Sequence, residues 1–202
     1  MQEDGPARSR REEYTEATRQ ALLAAGRRAF AIEGYQAAGI EAISRAARVT
    51  RGAFYHHFED KKALFDAVVV AMQAEAAAKI EARAKTQRKV WDRLTEGIDA
   101  FLDACLEPAY GRIVVQEAPV VLGNARYREI EETYTMALLT ATLAALKRQG
   151  ELDFEDIELL SRMVDAMICE VGLTLPAAEN PKKLRARAHE IIDSLLGSLR
   201  TA

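Results

Sequence analysis

Apolar residues recur three or four positions apart along almost the whole chain, and no long segment alternates apolar with polar residues. The first spacing marks one face of an α-helix, whereas alternation would indicate a strand. The sequence therefore predicts an all-α fold whose helices are separated by proline and glycine. The predicted helices are about Glu13–Glu33, Ile40–Ala47, Arg51–His57, Lys61–Ala84, Lys89–Leu106, Gly111–Leu122, Arg126–Gln149, Phe154–Leu175 and Pro181–Leu199.

The first predicted helix is amphipathic. Its expected apolar stripe consists of Leu22, Leu23, Ala29, Phe30 and Ile32. Gly34 is expected to end the helix, because glycine readily adopts the left-handed conformation found after helix ends. Residues 1–12 are mostly polar and include a Gly-Pro pair, so we expect a disordered arm there.

Two short helices followed by a long one, between Ile40 and Phe65, have the layout of a helix-turn-helix. In such a unit one helix braces the next, which lies in the DNA major groove. Ile40, Ile43 and Ala47 share one face of the bracing helix, and Val49 is expected to close the turn. This pattern predicts a DNA-binding domain over residues 13–60.

The second short helix has an inner and an outer side. Phe54 and Phe58, four residues apart, are expected to anchor it inward. The outward set contains Thr50, Arg51, Ala53, Tyr55 and His56. Arginine can bond a guanine edge, methyl groups can contact thymine, and phenol or imidazole can donate to phosphate.

Three further features of this segment bear on DNA binding. Thr50 is expected to cap the helix by accepting a hydrogen bond from a backbone N–H. Gly52 would let the backbone approach the duplex, and Lys61 would add positive charge to a helix N-terminus that already favours phosphate. Periodicity alone leaves another interpretation open, since all-helical proteins often contain such turns and Tyr55 and His56 could be ordinary surface groups.

At the level of individual residues the segment resembles the DNA-binding domain of the tetracycline-repressor (TetR) family of bacterial regulators. The resemblance covers Arg19 to about Phe65, including AFAIEGYQAAGIEAISRAARVTRGAFYHHFEDKKALF. It implies that Thr50, Arg51, Ala53, Tyr55 and His56 face DNA and that Lys61 meets a phosphate. It also implies a homodimer that binds a DNA operator and a small-molecule effector, the latter expected to be largely apolar.

Two positions depart from the family pattern. Gly39 stands where the family usually has a threonine or serine that caps the bracing helix and touches phosphate. Arg48 stands where the turn usually has glycine, so Arg48 accepts a strained conformation or the turn differs. Arg48 could also supply a phosphate contact of its own.

Composition and charge limit the class of protein. The net charge is −3, but residues 1–62 carry eleven basic and nine acidic residues, so this part is positive. Arg8, Arg10 and Arg11 could enter a minor groove, or could belong to a solvated tail. No apolar run approaches the roughly 20 residues that span a bilayer, and no secretory signal is recognisable, so a cytoplasmic protein is expected.

The remaining chemistry points away from catalysis. Two distant cysteines, Cys105 and Cys169, suit a reduced compartment, and neither belongs to a CxxC pattern or a histidine cluster, so no metal and no cofactor are expected. The chain has no GxSxG, HExxH or glycine-rich phosphate loop and only three histidines. We therefore expect no enzyme.

Residues 61–202 are expected to form a ligand-binding and dimerisation domain, as the resemblance implies. The last two predicted helices carry wide apolar stripes, which either pair with a second copy or pack within the chain. The residues expected at a dimer interface are Leu160, Val164, Ile168, Val171, Ile192, Leu195, Leu196 and Leu199.

An apolar ligand cavity between these helices is a further expectation, although each candidate could equally be plain core. The candidates are Trp91, Ile98, Phe101, Cys105, Tyr110, Val114, Glu117, Tyr134, Leu138, Met163 and Met167. The segment GRIVVQEAPVVLG contains a proline between glycines and predicts a short helix that shifts when ligand binds. Gln116 and Glu117 are its polar groups.

The sequence thus predicts a homodimeric DNA-binding transcriptional regulator, a repressor that a small-molecule ligand releases from a palindromic operator. The alternative is a ligand-binding or scaffolding helical protein that has kept the fold without sequence-specific DNA binding. Whether the protein represses or activates depends on where its operator lies.

Overall fold

A computed structural model describes residues 10–201, which are almost entirely helical and contain no strand beyond one isolated bridge between Leu152 and Arg200. The helices are α1 (Arg10–Glu33), α2 (Ile40–Ala46), α3 (Arg51–His57), α4 (Lys61–Ala84), α5 (Val90–Cys105), α6 (Pro108–Tyr110), α7 (Ala118–Leu122), α8 (Asn124–Thr133), α9 (Thr135–Arg148), α10 (Ile157–Thr174) and α11 (Pro181–Gly197). The predicted all-α fold is confirmed. No helix in the described range is both long and apolar enough to cross a membrane.

The chain forms two compact units that divide within α4, between Val68 and Val69. In the first unit, α1, α2, α3 and the start of α4 enclose a small core. Phe30, Phe54 and Phe65 are fully buried there. The ring of Phe65 packs edge-on against Phe30 and Tyr35, with centroid distances of 5.1 and 5.0 Å. Burial of each such side chain contributes about 1.5–3 kcal/mol, which holds the two short helices in place.

Helix α1 differs from its prediction at its start and in part of its apolar stripe. It begins at Arg10, inside the segment 1–12 predicted as a disordered arm, while positions 1–9 lie outside the described residues. Ile32 is 76% exposed, so its place in the buried stripe was wrong, and Ala29 is only half-buried. Leu22, Leu23 and Phe30 are buried as predicted. Gly34 has φ 84° and follows the helix end in the expected left-handed conformation.

The second unit packs α5, α9, α10 and α11 around one apolar core. The core includes Trp91, Leu94, Ile98, Leu102, Leu143, Leu146, Leu160, Val164, Ile168, Ile192 and Leu196. Side-chain caps start two of these helices: Asp156 accepts from Leu159 N at 2.9 Å, and Asn180 accepts from Lys183 N at 3.0 Å. Pro181 follows Asn180 at the first helical position, where its missing N–H costs nothing.

The predicted helix Arg126–Gln149 is two helices, α8 and α9, separated at Tyr134. This residue has φ −116° and ψ −88°, outside the helical region. Its N–H is shared between the carbonyls of Ile130 and Glu131, both at 3.2 Å. The break involves neither proline nor glycine, so the usual sequence signals for a helix end are missing.

The predicted helix Gly111–Leu122 consists of a π-helical segment, Gly111–Glu117, followed by α7. The N–H of Ala118 bonds the carbonyl of Ile113, five residues back. Pro119 has no N–H and cannot restore the four-residue ladder. A Cβ atom at Gly111 would lie 2.8 Å from the carbonyl oxygen of Cys105, so this turn requires glycine.

A network of ion pairs ties the end of α4 to α5 and α11. Arg83 Nη1 donates to Asp103 Oδ2 at 2.6 Å, and Arg185 Nε donates to the other oxygen of the same carboxylate. Burial would raise the pKa of Asp103, but the hydrogen bonds from the two guanidinium groups outweigh it and lower that pKa. His189 Nδ1 lies 3.0 Å from Asp99 Oδ1. These contacts hold the end of α4, α5 and α11 together in the second unit.

Candidate functional site

The turn between α2 and α3 depends on Arg48. Its φ is 59°, in the left-handed region, as expected for a residue standing where glycine is usual. The N–H of Arg48 bonds the carbonyl of Arg45, and the N–H of Val49 bonds the carbonyl of Ser44, both at 3.0 Å. This is the hydrogen-bond pattern of a Schellman motif, which closes a helix and sets the angle to the next one.

Arg48→Gly should stabilise the first unit. A side chain in the left-handed conformation costs roughly 1–2 kcal/mol, and the larger entropy of glycine in the unfolded chain offsets part of the gain. We expect the free energy of unfolding to rise by about 0.5 kcal/mol, measured by urea denaturation. Arg45→Gly, on the exposed side of α2, is the matched control and should lower it by about 1 kcal/mol. Equal losses in both variants would contradict the strain argument.

Helix α3 is capped and anchored as predicted. The N–H of Ala53 donates to Thr50 Oγ1 at 3.1 Å. Phe54 is fully buried and Phe58 is 5% exposed, so both aromatic residues face inward. The helix has only seven residues, too few to persist alone, and these contacts supply its stability.

The outer side of α3 presents donors to solvent. Arg51, Gly52, Tyr55 and His56 are exposed, and Ala53 is half-buried. Arg51 Nη2 donates to the Tyr55 hydroxyl at 3.4 Å, and the guanidinium lies 5.6 Å from the centre of the Tyr55 ring. The phenol therefore supports the arginine along the helix face.

Arg51 has one partner that the sequence reasoning missed. Its Nη1 lies 3.1 Å from Glu41 Oε1 on α2, and the two side chains are 61% and 71% exposed. A pair so exposed contributes about 0–1 kcal/mol, so the guanidinium can exchange Glu41 for a base edge at little cost. No sequence pattern marks this pair, because the residues are ten positions apart on different helices.

Lys61 is placed differently from its prediction as a phosphate contact. Its ammonium donates to the carbonyls of Tyr35, Gln36 and Ala38 at 2.7, 3.1 and 3.0 Å. A lysine has three N–H donors, and all three are used here. Lys61 therefore fastens the loop before α2 to the start of α4, and the prediction of an ammonium free to meet phosphate is corrected.

Gly39 precedes α2 without capping it, since no side chain bonds the first turn. A Cβ at this position would meet nothing within 4 Å, so the site has room for the serine or threonine of the resembling family. Of the three arginines proposed to reach a minor groove, Arg8 lies outside the described residues, whereas Arg10 and Arg11 open α1.

The predicted dimer residues are mostly core. Leu160, Val164, Ile168, Ile192 and Leu196 are at most 7% exposed, and Val171 and Leu199 are partly buried against the same core. For the five buried residues the assignment to an interface is corrected, because an apolar stripe does not reveal which of its edges faces inward. Leu195 alone of the set is largely exposed, at 51%.

A different apolar face is exposed on α10 and α11. It consists of Leu159, Met163, Leu173, Ile191 and Leu195, each at least 45% exposed. These make up half of the ten large hydrophobic residues that are exposed among residues 12–201. Met163 belongs to this face and not to the predicted cavity. Such a face marks a candidate interaction surface.

The second unit contains an apolar cavity of about 260 Å³ between α4, α5, α9 and α10. Its apolar lining includes Ile80, Leu94, Ile98, Phe101, Leu138 and Leu139. The carboxylate of Asp165 is the most buried charge that lines it, while Glu81, Lys85 and Arg93 are exposed. The cavity is large enough for a small organic molecule.

A second cavity of about 140 Å³ is lined by Cys105, Tyr110, Tyr127, Glu131, Asp165 and Cys169, among others. Phe101 and Asp165 line both cavities. The Tyr110 hydroxyl donates to Gln73 Oε1 at 3.1 Å. Donor atoms of Glu131, Asp165 and Cys169 lie within 4.8 Å of one another, a grouping that could hold a metal ion. Residues so distant along the chain give no sequence signal of this cluster.

Five of the eleven predicted cavity residues line one of these cavities: Ile98, Phe101, Leu138, Cys105 and Tyr110. The other six do not. Trp91 and Val114 are buried in core, and the guanidinium of Arg200 covers the Trp91 ring at 4.5 Å. Glu117 Oε1 lies 3.5 Å from Arg112 Nε, and Tyr134 lies at the break between α8 and α9. Met167 packs against the core. Gln116, the other polar group of the predicted shifting segment, is exposed.

The buried carboxylates hold protons unusually tightly. Burial, and then the charge of Asp165, raise the pKa of Glu131 to about 7 from 4.5, against the opposing effects of Tyr127, Arg128 and Cys169. Burial also raises the pKa of Asp165 and that of the Cys169 thiol. Near neutral pH the cluster therefore carries less negative charge than two ordinary carboxylates.

Glu131→Gln should stabilise the protein at high pH and not at low pH. Because the folded-state pKa is raised, the stability from protonated Glu131 is present below about pH 4.5 and is lost as pH rises through about 7. At about pH 8 we expect the free energy of unfolding of the variant to exceed that of the wild type by on the order of 2 kcal/mol. Glu129→Gln, exposed on the same helix, is the control and should show no such pH dependence. A difference that stays constant with pH would contradict the assignment.

The geometry of the first unit, with a short helix displaying Arg51, Tyr55 and His56 beyond a tight turn, defines a helix-turn-helix DNA-binding protein. Residues 22–68 match the model of the tetR family of bacterial regulatory proteins, and residues 91–199 match the tetracyclin repressor-like C-terminal domain. The chain belongs to the TetR family of transcriptional regulators. The expectation that the chain is not an enzyme is confirmed by this membership.

Individual proteins agree with the family assignment. The transposon Tn10 TetC protein of Escherichia coli is 27% identical over 195 residues, which is 95% of each chain. An HTH-type transcriptional repressor of Mycobacterium tuberculosis is 42% identical over 57 residues, 28% of this chain and 30% of its own. A crystal structure of a TetR-family regulator from Pectobacterium atrosepticum superposes with a TM-score of 0.80, is 30% identical, and covers 96% of this chain and 99% of its own.

Proposed function

We propose that the protein is a homodimeric repressor that acts in the bacterial cytoplasm and leaves a palindromic operator when a small molecule binds its second unit. The observation that carries this proposal is the outer side of α3, where Arg51, Tyr55 and His56 project from a capped and anchored helix. Thr50, Gly52 and Ala53 would bring the backbone and methyl groups close to the bases.

Dimerisation is supported by the exposed apolar face on α10 and α11. A second copy would remove Leu159, Met163, Ile191 and Leu195 from water, and a twofold axis would present two α3 helices to successive major grooves. The two halves of the operator would then be related by the same symmetry. Arg48, exposed at the turn, is a candidate for an additional phosphate contact.

Ligand response is supported by the cavity of about 260 Å³ in the second unit. A ligand that binds one arrangement of the dimer more tightly shifts the population toward it. If that arrangement holds the two recognition helices at a spacing that does not match the grooves, operator affinity falls.

A mobility-shift titration tests the proposal, using DNA from upstream of the protein's own gene and scrambled DNA of equal length. We expect a shift on the upstream DNA that weakens steeply with salt, because phosphate contacts release counterions. Equal affinity for both DNAs, or no shift at low salt, would contradict specific operator binding.

A further inference from the structure

We propose that the two cavities of the second unit form one site for an organic cation. An apolar or aromatic body would occupy the larger cavity, and a protonated amine would lie between Glu131 and Asp165. Only the role of this cation as the effector rests on the proposed function. The site itself lies entirely within the second unit.

The two cavities meet at shared residues. Phe101 and Asp165 line both of them, so a ligand in the larger cavity reaches the carboxylates of the smaller one. The larger cavity offers mainly apolar side chains, such as Ile80, Leu94 and Leu138. An apolar body gains free energy by entering such a space, and one charged group then fixes its orientation.

Arg128, on the same helix as Glu131, is the positive charge that acts on Glu131, but it forms no ion pair with that carboxylate. In the part of the chain that the structure describes, no lysine or arginine nitrogen lies within 4.0 Å of Glu131 or Asp165. Cys169 Sγ donates weakly to Glu131 Oε1 at 3.9 Å. Two partly buried carboxylates so close together repel each other, and an ammonium with three donors can bond both. Tyr110 and Tyr127 also line the smaller cavity, and aromatic rings can contribute to the binding of a cation.

The positive side chains of the larger cavity are already engaged at its exposed side. Lys85 Nζ lies 2.8 Å from Glu81 Oε1, and Arg93 Nε donates to the carbonyl of Gln87 at 2.9 Å. Asp165, by contrast, is partly buried. This difference favours a ligand whose cationic end points inward.

A metal ion is the competing occupant of the same cluster. Ligation by Cys169 would require its thiolate, and burial raises the pKa of that thiol, which disfavours a ligand set that includes sulfur. The cavity of about 140 Å³ is also far larger than an ion with one water. Both observations favour the amine, and zinc serves as a competitor in the test.

Isothermal titration calorimetry on the full chain tests the proposal with three probes that share one aromatic body: naphthylmethylamine, naphthylmethanol and naphthoic acid. We expect the amine to bind at least about tenfold more tightly than the alcohol, and the acid to bind most weakly. Asp165→Asn and Glu131→Gln should each reduce the preference for amine over alcohol, while affinity for the alcohol stays within about twofold.

The controls separate the site from the wider function. Circular dichroism and thermal melting verify that both isosteric variants are folded, and Glu129→Gln should leave the amine preference unchanged. Equal binding of amine and alcohol, absence of amine binding, or zinc binding that depends on Glu131 and Asp165 without amine binding would overturn the proposal. These titrations contain no DNA, so failure of operator binding would contradict the proposed function without affecting them.

Discussion

Replacing Arg51 and Tyr55 together by alanine should lower affinity for the operator by about 100-fold or more, because base contacts of this kind are worth about 1–3 kcal/mol each. Arg51 is the only outward arginine on α3, and Tyr55 holds its guanidinium through a hydrogen bond and the ring face. Both side chains are exposed, so the fold loses little when they are truncated. Fluorescence anisotropy with labelled operator DNA measures the loss.

Glu41→Ala is the matched control for this prediction. It removes the competing partner of Arg51 and one negative charge facing the DNA, so affinity should stay the same or rise by up to about fivefold. The melting temperatures of the wild type, the double variant and Glu41→Ala should lie close together. If the double variant keeps its affinity, or loses it only by unfolding, α3 does not read the operator as proposed.

Leu195→Asp, and separately Met163→Asp, should break the dimer and with it operator binding. Both residues are more than half exposed in one chain, so a carboxylate there is harmless in a monomer. Within a dimer interface the same carboxylate would be buried without a partner, at a cost of several kcal/mol. Sedimentation analysis should show the mass of one chain at micromolar concentration, where the wild type shows two.

Two further variants are the controls for this prediction. Val120→Asp, at a position 83% exposed on α7, should leave the dimer intact. Leu196→Ala, at a position 2% exposed next to Leu195, should instead destabilise the chain by about 2–5 kcal/mol. A dimer that survives both aspartate substitutions would place the interface on another surface.

Most features of the first unit could be predicted from residues that are close together in the sequence. Thr50 as a cap and Phe54 and Phe58 as anchors followed from residue types within one or two helical turns, whereas the backbone of Arg48 was expected from the family resemblance. Lys61 was the exception there. Its carbonyl partners lie 23 to 26 residues away, and a charge at a helix start gives no hint of them.

Prediction was weaker in the second unit because its features depend on contacts between helices. Leu195 and Leu196 are adjacent in an apolar stripe, yet one is exposed and the other is core. Glu131, Asp165 and Cys169 converge from two helices and belong to no sequence pattern. Residue spacing identifies an apolar stripe, but it cannot choose between the sides of that stripe or find a cavity.

Hydroxyl-radical footprinting of the wild-type protein on its operator tests whether two α3 helices read two half-sites. We expect two protected regions with dyad symmetry, separated by about one helical turn of DNA or a multiple of it. Both regions should disappear together in the Arg51/Tyr55 variant and in Leu195→Asp. A single protected region without symmetry, or uniform protection along the duplex, would contradict a homodimer that reads two half-sites with α3.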